Sequence, residues 1–301
     1  MPRESQAHAT RFDTPRPQQA RVETTVTDLS AAGLHRLAHR VNTVARSAGE
    51  IILRIYSTDY DVKTKSDESP VTCADMAADQ HIQKQLEALT PEIPVLSEES
   101  AKVPYAERTQ WDTYWLVDPL DGTREFIKGN GEFSVNIALI HNKAPILGVV
   151  YAPVMDNLYF AFRDGGAWKQ SSADDPAKRI RVRKAPSAGP TIARSRARTT
   201  GPKLRAFLSN LGKHSEVTMG SALKSCLVAE GAADLYPRLG PTSEWDTGAA
   251  QCIVTEAGGQ FTDTAMRTLR YNTKDSLINP PFFVCGDSGE DWSEYLESEE
   301  D

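Results

Sequence analysis

The stretch "WLVDPLDGTREF", residues 115–126, runs an apolar segment, Trp115-Leu116-Val117, straight into two aspartates three positions apart. Pro119 lies between them and Gly122-Thr123 just beyond. The plainest reading is a strand that ends in a turn, because Asp, Pro and Gly are common turn residues. A second reading is a cation site beside a phosphate pocket. Asp118 and Asp121 offer hard oxygen ligands of the kind magnesium takes. Gly122 and Thr123, if they open a helix or a tight turn, aim backbone N–H groups at an anion.

Other acids share this setting of a strand end or helix start followed by small residues. Asp75 closes "SPVTCAD", Glu98 opens an acid pair after "PVL", and Asp246 follows Trp245 at the start of an expected helix. Each has a structural reading when taken singly: Asp246 is a favoured N-cap type, and Glu98-Glu99 a solvated strand end. Together they fit a metal site. Magnesium is usually held by few carboxylates plus substrate phosphate oxygens, and two such ions can clamp an in-line phosphoryl displacement. Converging carboxylates without a cation would repel one another.

Composition narrows the class. The chain has 301 residues, 40% hydrophobic and 25% charged, as in soluble globular proteins. Its net charge of -7 is a property of one end, since residues 288–301, "SGEDWSEYLESEED", carry seven carboxylates and no basic residue. The body is thus near neutral, which argues against a nucleic-acid binder, and the tail reads as a solvated, mobile end. Cys73, Cys226, Cys252 and Cys285 are scattered with no CxxC pair, as expected of reduced intracellular thiols. No apolar run of about 18 residues exists to span a membrane. Residues 1–26 are polar, without the apolar stretch of a signal peptide, and read as a disordered extension of a cytoplasmic protein.

Along the chain, Leu34, Leu37, Val41, Val44, Ala48, Ile51, Ile52 and Ile55 recur at helical spacing and predict a long amphipathic helix. His35 and His39 on it lack a third ligand nearby and read as surface residues. A shorter helix is expected from about Met76 to Leu89. "FSVNIALI" and "ILGVVYAPVMDNLYFAF" read as strands around an Asn142-Lys143 turn, and "RDGGAWKQ" closes another hairpin. Residues 171–188 turn polar and charged. We place a boundary there, between an N-terminal α+β half (27–180), which carries most of the acids, and a C-terminal α/β half (181–287), followed by the acidic tail (288–301). In the second half "TIARS", "SEVTM" and "DLYPR" alternate as strands with helices near 202–211, 221–231 and 247–257, the mark of an α/β layer. There is no internal repeat, P-loop or GxGxxG.

Asp118-Pro-Leu-Asp-Gly-Thr123, the upstream Glu98 and Trp245-Asp246-Thr-Gly-Ala249 together resemble the signatures of the inositol monophosphatase superfamily. "GEFSVNIALI", "LGVVYAPVM", "GSALKSCLVAEGAADLYPR" and "LINP" are similar to its bacterial 3′(2′),5′-bisphosphate nucleotidase branch. The resemblance covers roughly residues 33–286. It implies a layered α-β-α-β-α sandwich with the site between its halves, and a magnesium-dependent, lithium-sensitive phosphatase. It also implies roles. Glu98, Asp118 and the Leu120 carbonyl would hold one Mg²⁺, and Asp118, Asp121 and Asp246 a second, with a third, weaker ion near Glu98 and Asp75. Asp75 and Thr123 would activate water, and the Gly122 and Thr123 amides would take the phosphate.

The substrate side separates the branches. Where inositol phosphatases carry a glutamate for sugar hydroxyls, alignment on Gly240 puts Arg238, whose guanidinium suits a second phosphate or an adenine face. Ser221 and Lys224, one helical turn apart, match nucleotide-contacting positions, although without the motif Lys224 would read as a surface helix lysine. Arg196, in "ARSRAR", stands where the nucleotidases often have a histidine, and it is expected to tighten binding of an extra phosphate or to shift substrate preference. The substrate implied is the bisphosphorylated nucleotide 3′-phosphoadenosine 5′-phosphate, with its sulfated form, 3′-phosphoadenylyl sulfate, as a second substrate. The alternatives are an inositol or sugar phosphate, or a catalytically silent nucleotide-binding regulator.

Overall fold

A computed structural model of the chain describes residues 27–57, 70–100, 103–184, 186–196, 201–286 and 289–297. The expectation for residues 1–26 lies outside them. Helices α1 (Ala31–Tyr56) and α2 (Pro70–Leu89) come first. A first sheet follows, built from β1 (Val95–Ser97), β2 (Thr113–Asp121), β3 (Ser134–His141), β4 (Ala144–Ala152), β5 (Asn157–Phe162), β6 (Gly166–Gln170) and β7 (Lys178–Ile180). Short helices α3 (Tyr105–Arg108) and α4 (Thr123–Ile127) flank β2. The strands lie in chain order, β1 parallel to β2 and the rest antiparallel. Asn142 and Lys143, both at positive φ (49° and 65°), make the tight turn between β3 and β4, as a two-residue hairpin loop requires.

The C-terminal part contributes β8 (Thr191–Arg194), α5 (Pro202–Leu211), β9 (Ser215–Thr218), α6 (Leu223–Ala229), β10 (Leu235–Arg238), α7 (Gly248–Glu256), β11 (Gln260–Asp263) and β12 (Phe282–Cys285). Its sheet has the order β11-β12-β10-β8-β9. A 3-10 turn, Glu244–Asp246, precedes α7.

Side-chain alternation on the strands explains how these elements stack. On the first sheet Trp115, Val117, Ile137, Leu139 and Val149 point into a core with α1 and α2, among them Leu34, Val41, Ala48 and Ile52. The intervening Leu116, Ala138, Ile140 and Val150 enter a second core with Cys226, Val228, Ile253 and Val254 of α6 and α7. A period of two sends successive side chains to opposite faces, so this sheet is covered on both sides. The second sheet repeats the pattern. Phe282 and Val284 face the α6/α7 core, while Phe283 and Cys285 face Phe207 of α5 and Trp292. The result is five layers, α-β-α-β-α, with α6 and α7 shared between the sheets.

Two local expectations change. Helix α2 begins at Pro70, so Asp75 lies on its second turn; it does not close a loop. Proline suits the first turn of a helix because the N–H it lacks has no acceptor there. The acidic tail is not wholly solvated. A 3-10 turn, Trp292–Tyr295, buries Trp292 to 2% exposure against the outer face of the second sheet. His35 and His39 contact each other (Nε2–Nε2 3.1 Å), and their rings lie against Phe162 and Phe160, which is a packing role.

Candidate active site

Asp118 and Asp121 share one end of β2, and an irregularity in the strand sets how they project. Asp118 pairs with Asn136 and Asp121 with Ser134, so three steps on β2 match two on β3. In a regular strand residues i and i+3 face opposite sides, whereas an extra residue bends the strand and re-aims its side chains. Pro119 sits in this bulge, where its missing N–H is tolerated. Leu120 is buried in the α1/α2 core, and its N–H donates to Asp118 Oδ1 at 3.1 Å. Gly122 turns the chain at φ +99°, and a Cβ there would meet Glu132 O and Phe133 at 3.2 Å, so glycine answers both demands. Thr123 then opens α4.

Asp121 Oδ2 accepts the Ala222 N–H at 2.5 Å and Asn136 Nδ2 at 3.2 Å. Asp246 Oδ2 accepts the Ser243 N–H at 3.0 Å. Glu98 is exposed as a residue, yet its carboxyl is partly desolvated beside Asp118 and Trp245. Asp75 is buried on α2, and its Oδ1 has no hydrogen-bond partner.

Burial raises the pKa of every one of these acids, and for most of them mutual repulsion adds to it. Burial, then Asp121, Asp246 and Glu98, hold Asp118 well above the carboxylate range. Burial and Asp121 push Asp246 up to about 7, while burial, Glu99 and Glu98 push Asp75 up to about 8. Glu98 is raised by partial desolvation and then by Glu99. Asp121 is raised by burial alone at first, with Lys224, Asn136 and the Ala222 amide pulling it back.

Such a group is stable only when it holds protons or a cation. Oxygen-only donors, an unpartnered buried carboxylate oxygen and the excess of negative charge fit a hard divalent ion. Among the described residues no three His, Cys, Asp or Glu side chains are already closed into a metal-holding group.

Asp121, Gly122, Thr123 and Asp246 line a cleft of about 450 Å³ together with Ser221, Lys224, Tyr236 and Arg238. Lys224 is 5% exposed, so it is no surface lysine. Burial lowers its pKa to about 8 against the opposing pull of Asp121. Its Nζ donates to Ser221 O at 2.5 Å and lies 5.3 Å from the Tyr236 ring centre. Arg238 donates to Pro241 O at 2.9 Å, and its buried Nε has no partner. A second hollow of about 410 Å³ continues past Ser195, Tyr236 and Arg238.

Arg196 is not brought to this lining. It forms a two-pronged ion pair with the buried Glu132, with Nε 2.7 and 2.8 Å from the two carboxylate oxygens. Glu132, Asn136 and the Ala222 N–H are parts of the site's framework that sequence reasoning missed. Only Asn136, a polar residue within an apolar strand, carried a signal.

The sequence profile of the inositol monophosphatase family matches residues 34–290. The chain belongs to the inositol monophosphatase family. Within that family it is 48% identical over 250 residues to a 3′(2′),5′-bisphosphate nucleotidase CysQ of Salmonella typhimurium, covering 82% of this chain and 99% of that protein. The namesake from Haemophilus influenzae is 38% identical, covering 85% and 95%. Among solved structures, CysQ from Bacteroides thetaiotaomicron superposes with a TM-score of 0.75 at 40% identity, over 83% of this chain and 97% of that one. A Staphylococcus aureus inositol monophosphatase shares the fold at a TM-score of 0.72 and 23% identity, over 87% and 96%. Among the described residues no helix is long and apolar enough to cross a membrane.

Proposed function

We infer that this chain is a magnesium-dependent 3′(2′),5′-bisphosphate nucleotidase that hydrolyses 3′-phosphoadenosine 5′-phosphate to AMP and phosphate. One observation carries the choice of substrate: two buried or half-buried cations, Lys224 and Arg238, line the same cleft as Asp121 and Asp246. A substrate with two phosphates engages the acids through their cation and Arg238 directly, whereas a sugar monophosphate leaves Arg238, whose buried Nε has no partner, without an anion. Identity of 48% to a nucleotidase of that name supports the same choice.

Catalysis in the family is metal-dependent, generally with Mg²⁺. Bound magnesium supplies positive charge that offsets the charge building on the phosphoryl group during in-line displacement. Glu98, Asp118, the Leu120 carbonyl, Asp121 and Asp246 are the residues that would hold it, with two ions as the simplest stoichiometry. The Gly122 and Thr123 N–H groups, at the start of α4 where the first amides lack intrahelical acceptors, hold the phosphate oxygens. Asp75 accepts a proton from the attacking water, and the Thr123 hydroxyl orients that water. Lys224, held by Ser221 and Tyr236, and Arg238 fix the far end of the nucleotide by charge-assisted hydrogen bonds. Water adds to phosphorus, the bond to the 3′ oxygen breaks, and that oxygen leaves with a proton as the AMP hydroxyl.

The test is phosphate release from 3′-phosphoadenosine 5′-phosphate and from inositol 1-phosphate, each with Mg²⁺ and with excess chelator. Expected is a strong preference for the nucleotide and no turnover in chelator. Equal kcat/KM for the two substrates would remove the substrate assignment, and full activity in chelator would remove the metal.

A further inference from the structure

Asp246 sits on a short 3-10 turn outside both sheets, so something must fix its position. The segment 271–280, including the "LINP" stretch, surrounds that turn. The Glu244 N–H donates to Leu277 O at 2.8 Å, and the Asn279 N–H donates to Thr242 O at 2.8 Å. Ser243 and Ile278 form an isolated antiparallel bridge. The Asn272 N–H donates to the buried Glu244 carboxylate at 2.9 Å.

The side chain of Asn279, 8% exposed, closes this grip. Its Nδ2 lies 2.7 Å from Ser243 O, 3.0 Å from Thr247 Oγ1 and 3.3 Å from Thr242 Oγ1. An amide NH₂ has two protons, and the two shorter contacts span the turn from Ser243, before it, to Thr247, after it. The bonds then continue to the acid. Ser243 accepts from Asn279 through its carbonyl and donates its N–H to Asp246 Oδ2 at 3.0 Å. Thr247 Oγ1 accepts from Asn279 and donates to Glu244 O at 3.0 Å, tying the turn to itself. We propose that Asn279 is the positioning residue for Asp246: its amide bridges Ser243 and Thr247 and thereby sets where the Asp246 carboxylate stands for a cation.

The proposal rests on Asp246 being a cation ligand, and the test separates the two. Mg²⁺ is titrated calorimetrically into the full chain without nucleotide, alongside thermal melting and steady-state kinetics. Asn279→Leu keeps the volume and removes both donors. Expected is a Mg²⁺ affinity lower by roughly 10-fold or more, as for other groups that orient metal ligands. The nucleotide KM measured at saturating Mg²⁺ stays near wild type. Phe207→Leu, in the outer core away from the cleft, serves as a variant of lowered stability and should leave the titration unchanged.

A lower melting temperature for Asn279→Leu with an unchanged Mg²⁺ titration overturns the proposal. If Asn279→Leu does not fold, Thr247→Val removes the Thr247 arm of the bridge, along with that hydroxyl's bonds to Glu244 O and Tyr271. Weakened Mg²⁺ binding there supports the proposal, and an unchanged titration overturns it. Asp246→Asn is the reference: if it too leaves Mg²⁺ binding unchanged, the ligand role of Asp246 is what has failed.

Discussion

Replacing Asp75 by Asn should stabilise the metal-free protein while nearly abolishing its activity. Asp75 lies buried with one oxygen unpartnered, and its pKa climbs from an ordinary 3.8 to about 8. That rise is worth on the order of 5 kcal/mol at 1.36 kcal/mol per pH unit. The sign follows from which state binds the proton more tightly. The folded state does, so the stability this gives is fully present below pH 3.8 and is lost as pH climbs through about 8.

Repulsion from Glu99 and Glu98 is relieved once for the group and not once per acid, and the new amide must itself be buried. A net gain of about 1–3 kcal/mol for Asp75→Asn in chelator at pH 8 is therefore expected, shrinking toward zero near pH 4. For a chain of this size that corresponds to a melting temperature higher by several degrees, at about 2–4 °C per kcal/mol. Turnover with Mg²⁺ should fall by roughly 10²–10⁴, the usual worth of a positioned base. Melting scans in chelator at pH 5 and pH 8, beside initial rates, decide it. A variant less stable than wild type at pH 8, or one that keeps its turnover, would refute the reasoning.

Arg238→Glu should raise KM for 3′-phosphoadenosine 5′-phosphate by roughly 10-fold or more, since a charge-assisted bond is exchanged for repulsion. Its kcat on a small monophosphate should hold, and equal KM changes for both substrates would show that Arg238 does not touch the nucleotide. Trp292→Ala should destabilise the fold by about 3–5 kcal/mol, the usual result of emptying a buried aromatic site, with kcat preserved below the melting transition. A denaturant midpoint like wild type would mean that the tail packs too loosely to matter.

Much of this was legible because the signals are local. The spacing from Leu34 to Ile55 is a helix face wherever it is found, and it became α1. Alternating apolar residues in "FSVNIALI" became β3, whose two faces feed two different cores. The acids, too, could be picked out by their settings.

What stayed hidden is tertiary. The bulge between Asp118 and Asp121 exists only relative to β3, so the chain around it reads as a plain turn. Lys224 looks like a surface residue until Tyr236 and Asp121 close over it. Arg196 looks free for a phosphate until Glu132, distant in sequence, takes it. Trp292 is one of two aromatics among seven acids, and only the Phe207 and Phe283 side chains reveal its place.

The most direct measurement is a ³¹P NMR time course of 3′-phosphoadenosine 5′-phosphate with the full-length protein and Mg²⁺. Expected is growth of inorganic phosphate and of the 5′-phosphate of AMP in equal amounts, as the 3′ resonance disappears, with no change in excess chelator. Accumulation of adenosine 3′-phosphate, or hydrolysis that continues in chelator, would contradict the assignment of the carboxylate cluster to the 3′-phosphate and of Lys224 and Arg238 to the rest of the nucleotide.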